Sequence, residues 1–120
     1  MTVVRVNPGS CGFVTRIIAR REEGRAVRIE LESGCEAVQA LALRVKEMGS
    51  LGIGDVLSRG IGRNRVFIEG SKALSHAGCP VLSAMIKAAE VELGLNVPAR
   101  VSMEFESARE ETKKTAVTSC

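Results

Sequence analysis

The fold is decided by residues 13–32, which have the sequence FVTRIIARREEGRAVRIELE. In the second half of this stretch, Val27, Ile29 and Leu31 alternate with charged residues, which is the pattern of a strand with one buried face. Residues 22–24 form a polar, glycine-containing turn between residues 13–20 and residues 25–32. The stretch therefore predicts two antiparallel strands joined as a hairpin.

The segments on either side of the hairpin add further elements. Residues 2–6 predict another strand, and a helix is predicted to begin at Cys35 and end at Gly49, because apolar residues recur there about every 3.6 positions. Pro80 suits the first position of a second helix over residues 80–93. Residues 101–105 alternate between apolar and polar and predict a last strand, whereas the glycine-rich residues 50–70 show no clear period.

Together these elements predict an α+β fold, with an antiparallel sheet of three to four strands packed on one face by helices. Residues 1–106 are expected to form a single domain, and residues 107–120 a polar and mobile tail. A chain of 120 residues is long enough to bury a core without disulfide bonds or a structural metal.

Composition narrows the class of protein. Hydrophobic residues make up 45% of the chain, but no apolar run reaches the length of a membrane span, and residues 1–6 lack the features of a signal peptide. We therefore expect a cytoplasmic protein that does not enter a membrane. The net charge of +3 is small, and the chain has no Tyr or Trp to stack on bases, which disfavours nucleic acid as a partner.

Three cysteines and the only histidine lie at predicted junctions between elements. Cys11 follows the first strand, Cys35 opens the first helix, and Cys79 precedes the second helix, with His76 close by. The start of a helix favours the thiolate form of cysteine, which is the form that binds soft metals. In a reducing compartment such cysteines favour a metal or an iron–sulfur cluster over disulfide bonds. Cys120, in the charged tail, is interpreted as a thiol that takes no part in the site.

The spacing differs from that of common zinc modules, in which ligands come as close cysteine pairs. Only His76 and Cys79 are close in sequence, so the fold itself would have to assemble the site. Zinc remains an alternative to a cluster. Isolated cysteines are also often small buried hydrophobic residues, and a lone histidine often has no ligand role. Groups of arginines such as Arg20, Arg21 and Arg28 are interpreted as solvated faces.

The cysteine motifs resemble those of the IscU/NifU family of iron–sulfur cluster scaffolds. Cys11-Gly12, Gly34-Cys35 and the helix that follows Cys79 are similar to the three motifs of that family, in the same order and at similar spacing. The resemblance covers roughly residues 1–94. It implies a SufE/NifU-like fold, cluster binding by Cys11, Cys35 and Cys79 with His76 as a candidate fourth ligand, and partners such as a cysteine desulfurase or a cluster acceptor.

Some features depart from the scaffold pattern. Phe13 stands where the scaffolds have an aspartate that keeps the cluster labile, His76 lies three residues before Cys79 instead of directly before it, and the chaperone-binding segment has no counterpart. The stretch from Asn7 to Phe13 and the segment that begins at His76 are also similar to a small prokaryotic family of unassigned function, a likeness that implies no activity.

Three functional hypotheses follow. The first is a non-catalytic holder, carrier or scaffold for a metal or an iron–sulfur cluster bound by Cys11, Cys35 and Cys79. The second is a sulfur-transfer protein that accepts a persulfide at Cys79, because SufE-type acceptors share the scaffold fold. The third is a structural or interaction module in which the cysteines are incidental. Association of the chain as a homo-oligomer is compatible with each hypothesis. The first hypothesis requires no catalysis, so the sequence favours a protein that is not an enzyme.

Overall fold

The first three strands and the two long helices follow one another in the predicted order. The computed structural model describes residues 1–58 and 60–107. It contains the strands β1 (Thr2–Val6), β2 (Thr15–Glu22), β3 (Ala26–Ser33) and β4 (Leu51–Gly52). The helices are α1 (Glu36–Met48), α2 (Ile53–Val56), α3 (Arg65–Gly70) and α4 (Val81–Glu92), with a 3₁₀ turn at Ile61–Arg63 between α2 and α3.

The four strands form one antiparallel sheet in the order β1-β2-β3-β4. Val4 pairs with Ile17, which pairs with Leu31, so the predicted alternation of β3 continues across the sheet onto a common inner face. β4 is short and pairs only with Ala26 and Val27. The predicted α+β class with an antiparallel sheet is therefore confirmed.

The core lies between the inner face of the sheet and two helices. α1 packs on β3 and places Val38, Leu41 and Val45 in the core, while α4 packs on β1 and β2. Met85, Ala88 and Ala89 of α4 are fully buried. Both helices present one apolar stripe to the sheet, as the helical period of the sequence requires.

The outer face of the sheet carries charged side chains in cross-strand pairs. Arg20 Nε lies 2.8 Å from Glu30 Oε1, and Arg16 Nη1 lies 3.1 Å from Glu32 Oε1. These side chains are about half exposed, and such pairs each contribute under about 1 kcal/mol. Arg16 and Arg20 of β2 thus lie on a solvated face, as interpreted from the sequence for Arg20.

Asn64 organises the segment whose pattern was unclear in the sequence. Its side chain is buried, and its Oδ1 accepts hydrogen bonds from the backbone N–H groups of Val66 and Phe67, which caps α3. Its Nδ2 donates to the backbone oxygen of Asp55 at 2.9 Å and to Ser58 Oγ at 3.0 Å. One side chain therefore joins α3 to the turn that follows α2.

The last predicted strand is not formed. Residues 97–107 have no regular secondary structure, and all of them are exposed. The alternation of apolar and polar residues is present, but within the described residues of one copy no neighbouring strand supplies backbone partners. The predicted tail, residues 107–120, lies outside the described residues except for Ser107. Across residues 1–58 and 60–107, no helix has the length and apolar character needed to span a membrane.

Candidate functional site

The three junctions that carry the cysteines lie at one end of the sheet. Val6 at the end of β1 pairs with Thr15 at the start of β2, and Thr15 pairs with Ser33 at the end of β3. The β1–β2 loop contains Cys11, and the β3–α1 junction contains Cys35. Both therefore leave the sheet at the same end of the strands. We call this end of the sheet the cysteine end. It includes the β1–β2 loop, the β3–α1 junction and the start of α4.

The direction of α4 brings Cys79 to the cysteine end as well. At the far end of the sheet, the Glu92 carboxylate accepts hydrogen bonds from Thr2 Oγ1 at 2.7 Å and from the Arg21 backbone N–H at 2.9 Å. The terminal amine of Met1 lies 3.2 Å from the same carboxylate. A helix of 12 residues is about 18 Å long, which is about the length of a strand of the sheet. The start of α4 therefore lies near the opposite end of the strands. We call the far end the Glu92 end.

Cys11 lies on an exposed loop that is held mainly by its own backbone. Gly12 N–H donates to the Gly9 carbonyl at 2.9 Å, and Gly9 N–H donates to Asn7 Oδ1 at 3.1 Å. Gly9 and Gly12 have φ angles of +95° and +74°, in the left-handed region that favours glycine. Both hydrogen bonds are local, so the loop can change conformation without breaking the pairing of β1 with β2.

Cys35 occupies the N-cap position of α1, as predicted. Its backbone N–H donates to Ser33 Oγ at 3.1 Å, and that hydroxyl accepts a hydrogen bond from Thr15 Oγ1 at 3.0 Å. No side chain caps the first turn of α1, and the half-buried Cys35 packs against the core. Its position is thus fixed by the sheet and the helix together.

Phe13 connects the Cys11 loop to the Cys35 junction. A Cβ placed on Gly34 would lie 3.2 Å from Phe13 Cδ1, so the ring packs closely against the backbone beside Cys35. In the structure, Gly34 makes room for the Phe13 ring, a role that the local sequence does not indicate.

The start of α4 differs from the prediction by one position. Pro80 is the N-cap and accepts a hydrogen bond from Ala84 N–H at 3.0 Å, so Cys79 precedes the cap and the helix begins at Val81. Cys79 N–H donates to the His76 carbonyl at 3.1 Å and closes a tight turn. His76 is exposed, whereas Cys79 is half-buried against the core.

Cys11, Cys35 and Cys79 all lie towards the cysteine end, but they do not form a ready-made metal centre. All three are free thiols. In the part of the chain that the structure describes, no three side chains of His, Cys, Asp or Glu form a group that could hold a metal ion. Cys120 lies outside the described residues.

Comparison with known proteins gives the chain a family. Residues 2–105 match a family of unknown function (DUF6951). The chain belongs to this family. No curated protein and no solved structure matches the chain. Membership of DUF6951 is compatible with the likeness to a small family of unassigned function and assigns no activity, so the likeness to the IscU/NifU scaffolds stays a prediction.

Proposed function

We propose that this protein of the DUF6951 family is a cytoplasmic holder or carrier of a soft metal ion or an iron–sulfur cluster. The proposed ligands are Cys11, Cys35 and Cys79, with His76 as a candidate fourth ligand. The observation that carries the proposal is that the sheet register brings the Cys11 loop and the Cys35 junction to one end, towards which the start of α4, with Cys79, is directed. Thiolate sulfur is the ligand that zinc and iron–sulfur clusters share.

Binding would require the Cys11 loop to move. Cys35 and Cys79 are half-buried and pack against the core, whereas Cys11 is exposed on a loop with only local hydrogen bonds. We therefore propose that Cys35 and Cys79 are the fixed ligands and that Cys11 closes on the metal. Holding or carrying a metal or cluster requires no reaction catalysed by side chains of the protein, so the proposed role is not enzymatic.

Phe13 favours a holder over a donor. An aspartate at this position would offer a competing ligand and admit water, whereas the Phe13 ring packs beside the Cys35 junction. Proposed partners are a cysteine desulfurase that supplies sulfur and an acceptor protein that receives the cluster.

One observation favours sulfur transfer as a second candidate. The described residues contain no ready-made group of three ligands, and Cys79 lies in a tight turn with the exposed His76. The Cys79 thiolate would attack the outer sulfur of a donor persulfide, forming a Cys79 persulfide and releasing the donor cysteine as a thiolate. This reaction needs only Cys79, so it predicts that Cys11 and Cys35 are dispensable.

The decisive experiment is anaerobic purification followed by metal analysis and a visible absorption spectrum. We expect bound iron and sulfide, or zinc, and we expect Cys11→Ser, Cys35→Ser and Cys79→Ser each to remove most of it, because a hydroxyl is a poor ligand for soft metals. Cys120→Ser is the matched control and should retain full occupancy.

Other results would favour other functions. Persulfide labelling that depends on Cys79 alone, with no bound metal, would support sulfur transfer. Protein with neither metal nor persulfide, also after anaerobic reconstitution with iron and sulfide and with zinc, would leave the cysteines incidental and contradict the proposal.

A further inference from the structure

Residues 101–105 have the pattern of a strand but pair with no strand among residues 1–58 and 60–107. Val101, Met103 and Phe105 are 65%, 82% and 97% exposed, and they alternate with Ser102 and Glu104. Exposed apolar side chains on one face of an extended segment usually indicate an interaction surface. The family match runs through residue 105, so the segment belongs to the shared domain.

The β1 edge of the sheet can receive this segment. β1 pairs with β2 on one side, and among the described residues no strand pairs with its other side. β1 spans five residues, which is the length of the alternating segment. An uncovered edge presents free backbone N–H and C=O groups, which an added strand can satisfy.

The two faces of β1 match the two faces of the segment. On the inner face, Val4 is partly buried and Val6 is buried. Beyond β1, α4 exposes a flank opposite the side on which Leu82 contacts α3, and this flank carries the partly exposed Ala84 and Val91. A strand added to β1 can therefore bury its apolar face beside Val4, Val6 and α4.

The outer face offers complementary charge. Arg5 points to the solvated side of β1 and makes no ion pair within residues 1–58 and 60–107. Glu104 and Glu106 lie on the polar face of the segment. When Val101, Met103 and Phe105 face inward, these two glutamates face outward on the same side as Arg5. Opposite charges on neighbouring strands stabilise their pairing.

The segment does not pair with its own sheet within the described residues. The molecule measures 52 × 31 × 25 Å, and residues 97–107 are exposed throughout. The chain leaves α4 at the Thr2 end of β1, so without a reversal in residues 93–100 the segment would run parallel to its own β1. Every pair in the sheet is antiparallel, and a second copy supplies that orientation most directly.

We propose that residues 101–105 add as a fifth strand to the β1 edge of a second copy of the chain, and that the second copy does the same in return. The result is a twofold dimer formed by exchanged strands. This proposal does not depend on a metal at the cysteine end.

The first test is analytical ultracentrifugation of the full chain, reduced and treated with EDTA so that neither a disulfide nor a metal links two copies. We expect a dimer for the unmodified protein. The double variant Met103→Asp with Phe105→Asp should weaken dimerisation at least about tenfold. Leu43→Asp, at an exposed position on α1, is the matched control and should remain dimeric. A monomeric unmodified protein, or a double variant that dimerises normally, would overturn the proposal.

The second test identifies the strand that receives the segment. Arg5→Glu should weaken the dimer about tenfold at low salt, and so should the double variant Glu104→Arg with Glu106→Arg, because each places like charges together twice per dimer. When the two variant proteins are mixed, both contacts in the mixed dimer regain opposite charges, so dimerisation should be restored. Pairing within one chain would show no such recovery on mixing, and that result would contradict the exchange.

Discussion

The two ends of the sheet are built differently. At the Glu92 end, one carboxylate accepts hydrogen bonds from Thr2 and from the Arg21 backbone and lies beside the terminal amine, so three parts of the chain are joined. At the cysteine end, the loop that carries Cys11 makes only local hydrogen bonds and exposes its thiol. One end holds the helix on the sheet, and the other leaves side chains free to meet a ligand.

Because of this difference, substitutions at the Glu92 end should mainly affect stability, and substitutions at the cysteine end should mainly affect binding. Substitutions at the Glu92 end should change the free energy of unfolding, because they remove contacts between distant segments. Substitutions of exposed loop residues at the cysteine end should have little effect on it, because the loop adds few such contacts. The stabilities of variants at the two ends therefore test this difference.

Glu92→Ala should produce the largest loss of stability. It leaves the Thr2 hydroxyl and the Arg21 N–H without their acceptor and removes the partner of the Met1 amine, which we expect to cost about 2 kcal/mol. Urea unfolding followed by circular dichroism measures the change. Glu47→Ala, at an exposed position on α1, is the control, and Cys11→Ser should stay within about 0.5 kcal/mol of the unmodified protein. A larger loss from Cys11→Ser than from Glu92→Ala would reverse the comparison.

Acid should weaken the contacts at the Glu92 end. The Thr2 hydroxyl, followed by the Arg21 amide and the Met1 amine, holds the pKa of Glu92 below its ordinary value of 4.5. Because the pKa is lower in the folded protein, the stabilisation is complete above about pH 4.5 and is lost as the pH falls through the folded value. The stability difference between the unmodified protein and Glu92→Gln should therefore shrink below pH 4.5.

The same pH series contains its own control. Glu22 and Glu69 also have lowered pKa values, Glu22 through the hydroxyl of Ser50 and then Arg28, and Glu69 through Lys72. Their contributions remain in both proteins and cancel in the difference between the unmodified protein and Glu92→Gln. A difference that stays constant from pH 7 to pH 3 would show that the charge of Glu92 does not contribute.

The fold was more predictable than the arrangement of the site. β1 has the predicted bounds, and β2 and β3 begin within two residues of theirs, because alternation over eight residues directly reports a half-buried strand. α2 and α3 are too short to show a period, and the capping role of Asn64 depends on contacts with Asp55 and Ser58. These contacts form only when the tertiary fold is complete.

The candidate site shows a similar limit. Local patterns placed Cys35 at the start of α1, whereas the register of the sheet brings the Cys11 and Cys35 junctions to one end and the direction of α4 adds Cys79. The packing of Phe13 on Gly34 joins two segments that are 21 positions apart, and no local pattern reports it. The last strand was predicted from a correct alternation, but a strand also needs a neighbour, and a sequence does not say which chain supplies it.

A smaller change in stability than that of Glu92→Ala is expected from Phe13→Asp, which also gives the sharpest test of the cysteine end as a binding site. Phe13 is 48% exposed and its ring packs beside Gly34, so the substitution should cost about 1 kcal/mol. If the ring shields a cluster held by Cys35 and its neighbours, an aspartate there admits water and a competing carboxylate, and the cluster should transfer faster to an apo-ferredoxin. Phe13→Leu keeps an apolar side chain and should transfer slowly, as the unmodified protein does. Rapid transfer by the unmodified protein, or equal rates for Phe13→Asp and Phe13→Leu, would instead indicate a donor whose cluster Phe13 does not protect.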